Sequence, residues 1–116
     1  MSIRRIDPGP RMTQAVVHGN TVYLAGQVAQ DAKATSVTDQ TKAILGQIDA
    51  LLAKAGSDKS KLISANIWLS DISTFDEMNK VWDGWVSSGN TPARACVEAK
   101  LARSNLLVEI GIVAAR

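Results

Sequence analysis

The segment LLVEIGIVAA, residues 106–115, decides what fold this chain can form. Its Leu, Ile and Val residues favour a β-strand, which we expect to span residues 106–114. The segment is apolar at nearly every position, so both faces of the strand must be buried. Because a monomer rarely exposes an apolar patch of that size, the segment predicts a sheet with helices on one face and another subunit on the other.

The rest of the chain supplies the remaining strands. Two apolar runs, residues 15–17 and 22–25, flank the turn sequence HGNT and predict a β-hairpin. Residues 62–71, LISANIWLSD, alternate apolar and polar side chains, as in a strand with one buried face. A further strand is predicted at residues 95–102, and the short link ARSN to the last strand predicts a second hairpin.

Two segments have the apolar spacing of amphipathic helices. Over residues 37–55 apolar side chains recur every three or four positions, with Ser36 or Thr38 available as N-cap and Gly56 placed for the C-terminal turn. The second helix is predicted to begin at Asp71 or Ser73. Its apolar stripe is expected to belong to the core and consists of Phe75, Met78, Trp82, Trp85 and Val86.

The resulting order of elements is β-β-α-β-α-β-β, which predicts an α+β fold with both helices on one face of a mixed sheet. The chain has 116 residues, 46% of them hydrophobic and 21% charged, and we expect one domain over residues 1–116. No segment has the length and apolarity of a signal peptide or a membrane span. We therefore expect a cytoplasmic protein that does not bind membranes.

The charged residues give no indication of nucleic-acid binding. The chain carries 13 basic and 11 acidic side chains, a net charge of +2, and apart from Arg4 and Arg5 the basic residues are scattered. The few aromatic residues are not interleaved with lysine or arginine, as a surface that stacks bases would require. Nucleic acid is therefore not an expected partner.

The chain has one cysteine, Cys96, and one histidine, His18. An internal disulfide cannot form, and these ligands are too few for a zinc site. His18 lies in the HGNT turn without a neighbouring carboxylate or nucleophile, so we expect an exposed turn residue rather than a catalytic one. For Cys96 we favour an inert buried thiol over a nucleophile or redox sensor, because no base accompanies it.

Arg94 and Glu109 are charged residues in otherwise apolar strands. Alternation puts Arg94 and Cys96 on one face of their strand. In a hairpin centred between residues 103 and 104, Glu109 joins that face, whereas a shift of one residue moves it to the other. Two interpretations remain open: a structural ion pair, or an anion site in which Arg94 binds a substrate carboxylate and Glu109 positions or deprotonates a water.

Four segments, in this order, resemble the Rid (YjgF-like) family of reactive-intermediate deaminases: LAGQVA, NIWLSDISTFDEMNKVW, TPARACVEAKLA and LLVEIGIVAA. The most specific residues are 92–94 and 108–110, and the resemblance covers nearly the whole chain. It implies a chorismate-mutase-like subunit that assembles as a homotrimer, with the sheets forming a central barrel and the helices outside. This agrees with the second subunit expected on the open face of the sheet.

The resemblance also implies an activity. The site lies in clefts between subunits, where Arg94 binds the carboxylate of a 2-imino or enamine acid, Glu109 acts on the attacking water and Cys96 lines the pocket. The reaction hydrolyses the imine to a 2-keto acid and ammonia without a metal or cofactor. The implied partners are a small carboxylate substrate and two further copies of the chain.

Two positions depart from the best-studied deaminases of that family. Ala25, next to Gly26 in LAGQ, stands in place of a serine, and residues 9–12, GPRM, lack the tyrosine of a GPY-type segment. Ala25, Gly26 and Met12 are expected at the substrate without providing a hydroxyl. This indicates a divergent subgroup with a different substrate or slow turnover. It leaves a second hypothesis, a non-catalytic trimer that binds a small 2-keto acid or acts like a chaperone.

Overall fold

The structure is a computed structural model that describes residues 1–116. Its elements are, in chain order, β1 (Ile3–Pro8), β2 (Thr13–His18), β3 (Thr21–Leu24), α1 (Val37–Lys54), β4 (Leu62–Leu69), α2 (Phe75–Trp85), β5 (Ala93–Glu98) and β6 (Val108–Ala115). Single 3-10 turns precede β4 and α2, at Lys59–Lys61 and Ile72–Thr74. The order is therefore β-β-β-α-β-α-β-β, with one strand more than the sequence predicted.

The additional strand, β1, forms one edge of the sheet. It pairs antiparallel with β2, with Ile6 opposite Ala15. Ile6 is its only buried residue, and its neighbours include the exposed Arg4 and Arg5. An edge strand with a single buried side chain has no apolar alternation, which explains why the sequence pattern did not predict it.

The six strands form one mixed sheet in the order β1-β2-β3-β6-β4-β5. All pairings are antiparallel except that of β4 with β5, which is parallel. The predicted hairpin between β5 and β6 is wrong, because α2 carries the chain back across the sheet so that β5 runs beside β4 in the same direction. The last strand, β6, then enters between β3 and β4.

Polar side chains cap the starts of α1 and of the two 3-10 turns. Ser36 Oγ accepts a hydrogen bond of 3.0 Å from the Asp39 N–H at the start of α1, and Gly56 follows that helix with a φ of +79°. Both features agree with the sequence prediction. The second helix begins later than predicted, at Phe75, because the Asp71 carboxylate first caps a 3-10 turn.

The core lies between the helices and the face of the sheet that they cover. Its fully buried large side chains include Ile44, Ile48, Leu52, Ile67, Met78, Ile110 and Ile112. The predicted stripe of α2 belongs only partly to this core: Met78 and Trp82 are buried, whereas Phe75 remains 37% exposed. The α+β class with both helices on one face of a mixed sheet is confirmed.

The opposite face of the sheet carries no helix, and we call it the open face. Its side chains are half-buried or exposed, and the large apolar ones among them are Ile3, Val16, Tyr23, Trp68, Val97 and Val113. Tyr23 is 48% exposed and Val97 is 51% exposed. The helices cover one face, as predicted, while a second subunit on the open face stays a prediction.

Candidate functional site

Arg94 lies on the edge strand β5, and its side chain points toward α2. Its Nη1 donates a hydrogen bond of 2.8 Å to Oδ1 of Asn79. Its guanidinium carbon lies 5.3 Å from the centre of the Trp82 ring and 5.8 Å from that of Phe75. No carboxylate pairs with it, since the chain's one ion pair joins residues elsewhere. The guanidinium is therefore held in place while its charge stays uncompensated.

Cys96 shares the face of Arg94 on β5, as alternation predicted. Its side chain packs against the core and its thiol is free. Burial raises the pKa of the Cys96 thiol, and the positive charge of Arg94 offsets only part of that effect. The thiol therefore stays protonated at neutral pH, which favours the inert interpretation over a nucleophile.

Glu109 lies on β6, with its carboxylate against Gly26. A Cβ added to Gly26 would overlap Oε2 of Glu109 and stand 3.1 Å from its Cδ. The chain is fixed just beyond Gly26, where Gln27 and Ile110 exchange two backbone hydrogen bonds of 2.8 and 3.0 Å. The N–H of Gly26 itself donates to no acceptor within the chain. A carboxylate and an unused backbone donor thus lie side by side.

Three glutamines, which the sequence analysis did not identify, hold the segment around Gly26. Gln27 Nε2 donates to Gln14 Oε1 and to the Ala25 carbonyl, both at 3.0 Å. Gln47 on α1 donates to Gln27 Oε1 at 3.2 Å. Because Gln27 is only 5% exposed, this network ties the segment to β2 and α1. The signal in the sequence is a glutamine three residues after the end of an apolar strand.

Met12 and Ala25 lie at the same end of the sheet as this segment. Met12 precedes β2, is 47% exposed and accepts a 2.8 Å hydrogen bond from the Gly9 N–H at its carbonyl. Ala25 follows β3 directly. Since β2 begins where β3 ends, Met12 and Ala25 lie at the same end of the sheet as Gly26 and Glu109. Of the predicted site residues, Gly26 and Glu109 are in contact, and Met12 and Ala25 lie at the end of the sheet where that contact forms.

Arg94 and Glu109 do not meet within one chain. Arg94 is in register with Ala65, which is buried beneath the helices, whereas Glu109 pairs with Trp68 on the open face. The strand β4 also separates β5 from β6, which adds two strand spacings or roughly 10 Å. The prediction that Arg94 and Glu109 share a face is wrong, and so is an ion pair between them within a chain. The cause is the hairpin that does not form.

Two clefts of the chain lie away from both residues. One cleft of about 440 Å³ lies between the loops that follow β3 and precede β6, and Gln40 and Arg103 contribute to its lining. Another, of about 560 Å³, runs along residues 98–104. Neither cleft is lined by Arg94 or Glu109. Within a single chain Arg94 is exposed and Glu109 is half-buried, and neither lines these clefts.

The remaining candidate groups are dispersed. His18 is exposed at the end of β2, in the predicted turn. No three side chains of His, Cys, Asp or Glu are grouped so as to hold a metal ion. Neither helix has the length and apolarity that crossing a membrane requires.

Comparisons relate the whole chain to proteins of one kind. A family model described as endoribonuclease L-PSP matches residues 2–116. A RutC family protein from Haemophilus influenzae is 45% identical over 114 residues, which cover 98% of this chain and 98% of the relative. The crystal structure of a YjgF family member from Neisseria meningitidis has a TM-score of 0.97 at 45% identity and covers 100% of this chain and 96% of that one.

A further likeness is to the structure of YyfA, a Rid family protein from Yersinia pestis. Its TM-score is 0.87 at 26% identity, and the match covers 94% of this chain and 90% of that one. Together these likenesses confirm the predicted chorismate-mutase-like α+β fold, with β1 added to the predicted strands.

Proposed function

The chain belongs to the Rid (YjgF/RutC) family, and on that premise we propose that it is a cofactor-free deaminase. It hydrolyses 2-imino or enamine acids to 2-keto acids and ammonia, and Arg94 binds the substrate carboxylate. The observation that carries this proposal is a guanidinium fixed on an exposed strand without a carboxylate partner. Such a group binds a planar anion through two parallel charge-assisted hydrogen bonds.

The proposed site is assembled between copies of the chain. Arg94 lies on the helix side of an edge strand and Glu109 on the open face, so each needs a partner from another copy. A second copy packed on the open face brings its β5 edge toward Gly26 and Glu109 of the first. Exposed apolar residues such as Tyr23 and Val97 support this packing. We propose a homotrimer whose sheets face a central barrel.

The proposed chemistry needs few groups. Water adds to the electrophilic carbon of the protonated C=N bond while Glu109 accepts a proton from the water, which gives a tetrahedral carbinolamine. Glu109 then returns that proton to the amine nitrogen, the C–N bond breaks with its electron pair leaving on ammonia, and the hydroxyl proton passes to solvent as the C=O bond forms. Arg94 and the free N–H of Gly26 hold the substrate so that the imine carbon faces the water.

The remaining pocket residues bear on the choice of substrate. They provide no hydroxyl and are Met12, Ala25 and Cys96. Because Ala25 has no hydroxyl, no side chain at position 25 can donate a proton to the departing ammonia. We therefore expect an apolar substrate side chain and slow turnover.

The test is ammonia release from imines that an amino-acid oxidase generates in the same solution. Wild-type protein is expected to accelerate the release, and Arg94→Ala to lower kcat/KM by about a hundredfold or more because the carboxylate loses two charged hydrogen bonds. Arg116→Ala removes an exposed arginine from the end of β6 and serves as the control. Equal rates for wild type and Arg94→Ala would contradict the proposal.

Mixing two inactive variants tests whether the site is shared between copies. Arg94→Ala and Glu109→Gln are each expected to be inactive alone. When they are refolded together, random assembly of a closed ring restores an intact pair at about a quarter of the clefts. Recovery of activity in the mixture supports an intersubunit site, whereas no recovery contradicts it. Light scattering that gives the mass of one chain contradicts the trimer.

A non-catalytic binding module is the second candidate. The missing hydroxyls favour it, because the anion anchor is retained while assistance to catalysis is reduced. Titration with 2-oxobutanoate distinguishes the two functions. Binding that Arg94→Ala abolishes, without measurable turnover, supports the module, and absence of binding contradicts it.

The description of the family model also names an endoribonuclease, so RNA cleavage is a competing activity. The net charge of +2 and the scattered basic residues do not favour it. Incubation with a labelled single-stranded RNA tests for this cleavage activity. Cleavage that survives Arg94→Ala would replace the deaminase proposal.

A further inference from the structure

The helix α2 provides three contacts to the Arg94 side chain. They come from positions 75, 79 and 82, whose spacing of four and three residues puts them on one face of the helix. Asn79 accepts the hydrogen bond of 2.8 Å, and the rings of Phe75 and Trp82 lie 5.8 and 5.3 Å from the guanidinium carbon. Three separate contacts thus restrict a long and otherwise flexible side chain.

We propose that Asn79 is a positioning residue, which orients the Arg94 guanidinium for carboxylate binding without neutralising its charge. The inference rests on the proposed function, in which Arg94 binds the substrate carboxylate. An aspartate at position 79 would orient the guanidinium as well, but it would also form an ion pair that the substrate must break. An amide oxygen accepts the hydrogen bond and carries no charge.

Two acidic side chains of the elements that contact Arg94 are engaged with other groups. Glu98, on the same face of β5 as Arg94, accepts a hydrogen bond of 3.0 Å from the Ile72 N–H. Glu77 on α2 accepts hydrogen bonds of 3.0 and 2.9 Å from the N–H and hydroxyl of Thr38. Neither carboxylate therefore pairs with Arg94, and α2 contacts the guanidinium only through an amide and two aromatic rings.

The aromatic rings also restrict the Arg94 side chain without placing a negative charge beside it. A cation is attracted to the face of an aromatic ring by the ring quadrupole, without a negative partner. Trp82 is only 4% exposed, so it forms a fixed wall against the guanidinium. One N–H of Arg94 is used by Asn79, and the other donors of the fork stay free for an anion.

The experiment compares Asn79→Asp, Asn79→Ala and a charge-matched control, Asn20→Asp, in the full chain. Asn20 lies exposed at the turn between β2 and β3, and its side chain makes no hydrogen bond. The probe is 2-oxobutanoate, and its Kd is measured by calorimetry. Steady-state kinetics of imine hydrolysis then separate KM from kcat for each variant.

Asn79→Asp is expected to raise Kd and KM by at least about tenfold, because the new carboxylate competes for the guanidinium at hydrogen-bond distance. Asn79→Ala is expected to raise them by about threefold to tenfold, since only the orientation is lost. In both variants kcat changes by less than about threefold, as for a residue that acts on binding. Asn20→Asp stays within about twofold of wild type, because an exposed distant charge is screened.

A second measurement does not depend on activity. In a nitrogen-15 spectrum of the arginine side chains, the Nε–H signal of Arg94 is assigned by its loss in Arg94→Lys. A sharp Arg94 signal in wild type and a broadened one in Asn79→Ala support the positioning role. Circular dichroism first verifies that Asn79→Ala is folded, so that a broadened Arg94 signal reports on the side chain and not on unfolding.

The outcomes separate the two proposals. If Arg94→Ala abolishes binding while both Asn79 variants bind 2-oxobutanoate like wild type, the positioning role is overturned and the proposed function stands. If Arg94→Ala binds and turns over substrate like wild type, the proposed function fails. In that case an Arg94 signal unchanged by Asn79→Ala overturns the positioning role as well.

Discussion

Gly26 lies directly against the carboxylate of Glu109, which occupies the space that a side chain at position 26 would need. Its φ is not positive, unlike that of Gly19, Gly56 and Gly89, so the backbone conformation does not require glycine there. Close approach of the two groups is the remaining reason for a glycine at this position. The relationship leads to a prediction about both stability and rate.

Gly26→Ala is expected to displace the Glu109 carboxylate rather than unfold the protein. The overlap involves the end of a flexible side chain, which can rotate away, so the free energy of unfolding should change by less than about 1 kcal/mol. The rate of imine hydrolysis should fall by about a hundredfold, because the group that acts on water is misplaced. Urea denaturation and the ammonia assay measure the two effects, and an unchanged rate would show that the contact has no catalytic role.

Gly84→Ala is expected to stabilise the protein. Gly84 lies in α2 with no atom within 4 Å of an added Cβ, so alanine fits without strain. Glycine within a helix costs about 1 kcal/mol relative to alanine, and the unfolding free energy should rise by roughly that amount. Gly46→Ala in α1 has equally open surroundings and provides an independent repeat. A loss of stability in both variants would mean that another copy packs closely against these helices.

Gln40→Leu is expected to destabilise the chain by about 2 to 4 kcal/mol. Gln40 is 2% exposed, and its amide accepts a hydrogen bond of 2.8 Å from the Leu107 N–H and donates one of 2.9 Å to the Asn105 carbonyl. Leucine leaves both backbone groups without their partner. Gln30→Leu, on exposed surface, should stay within about 0.5 kcal/mol of wild type in the same urea titration.

Asp71 is expected to make stability depend on pH in the acidic range. Hydrogen bonds from the Ser73 hydroxyl and N–H, at 2.7 and 2.9 Å, lower the pKa of Asp71. A lowered folded pKa adds stability that is present above the unfolded pKa of about 3.9 and is lost as pH falls through the folded value. Asp71→Asn should therefore be less stable than wild type at pH 7 and should converge with it at about pH 2.

The control for that comparison is Asp83→Asn, an exposed carboxylate of α2 that makes no hydrogen bond. It should follow the wild-type pH dependence in urea melts. An equal deficit of Asp71→Asn at pH 7 and pH 2 would assign the effect to lost geometry rather than to charge.

Local patterns predicted the elements well, because they depend on neighbouring residues. The apolar period of residues 37–55 and the cap at Ser36 gave α1, and alternation gave β4 and the common face of Arg94 and Cys96. Strand partners are not encoded locally. The face that Glu109 occupies relative to Arg94 follows from the path of the chain over α2, which no alternation pattern contains.

Asn79, the proposed positioning residue, did leave a signal in the sequence. Asn79 is a polar residue inside the apolar stripe of α2, four residues after Phe75 and three before Trp82. A polar side chain on such a stripe needs a partner, and charged residues of β5 such as Arg94 were available to supply one. The pairing of Asn79 with Arg94 depends on the position of β5 beside β4 and under α2, which the local sequence pattern does not contain.

The central place of β6 has a consequence for synthesis on the ribosome. Residues 1–107 contain two separate groups of strands, β1 to β3 and β4 with β5, which are joined in the sheet only when β6 enters between them. Until the last strand leaves the exit tunnel, the exposed edges of β3 and β4 are open to wrong partners. A nascent chain of this fold therefore completes its sheet only after β6 has emerged from the ribosome, and a delay before β6 emerges would prolong the exposure of these edges to chaperones and to aggregation.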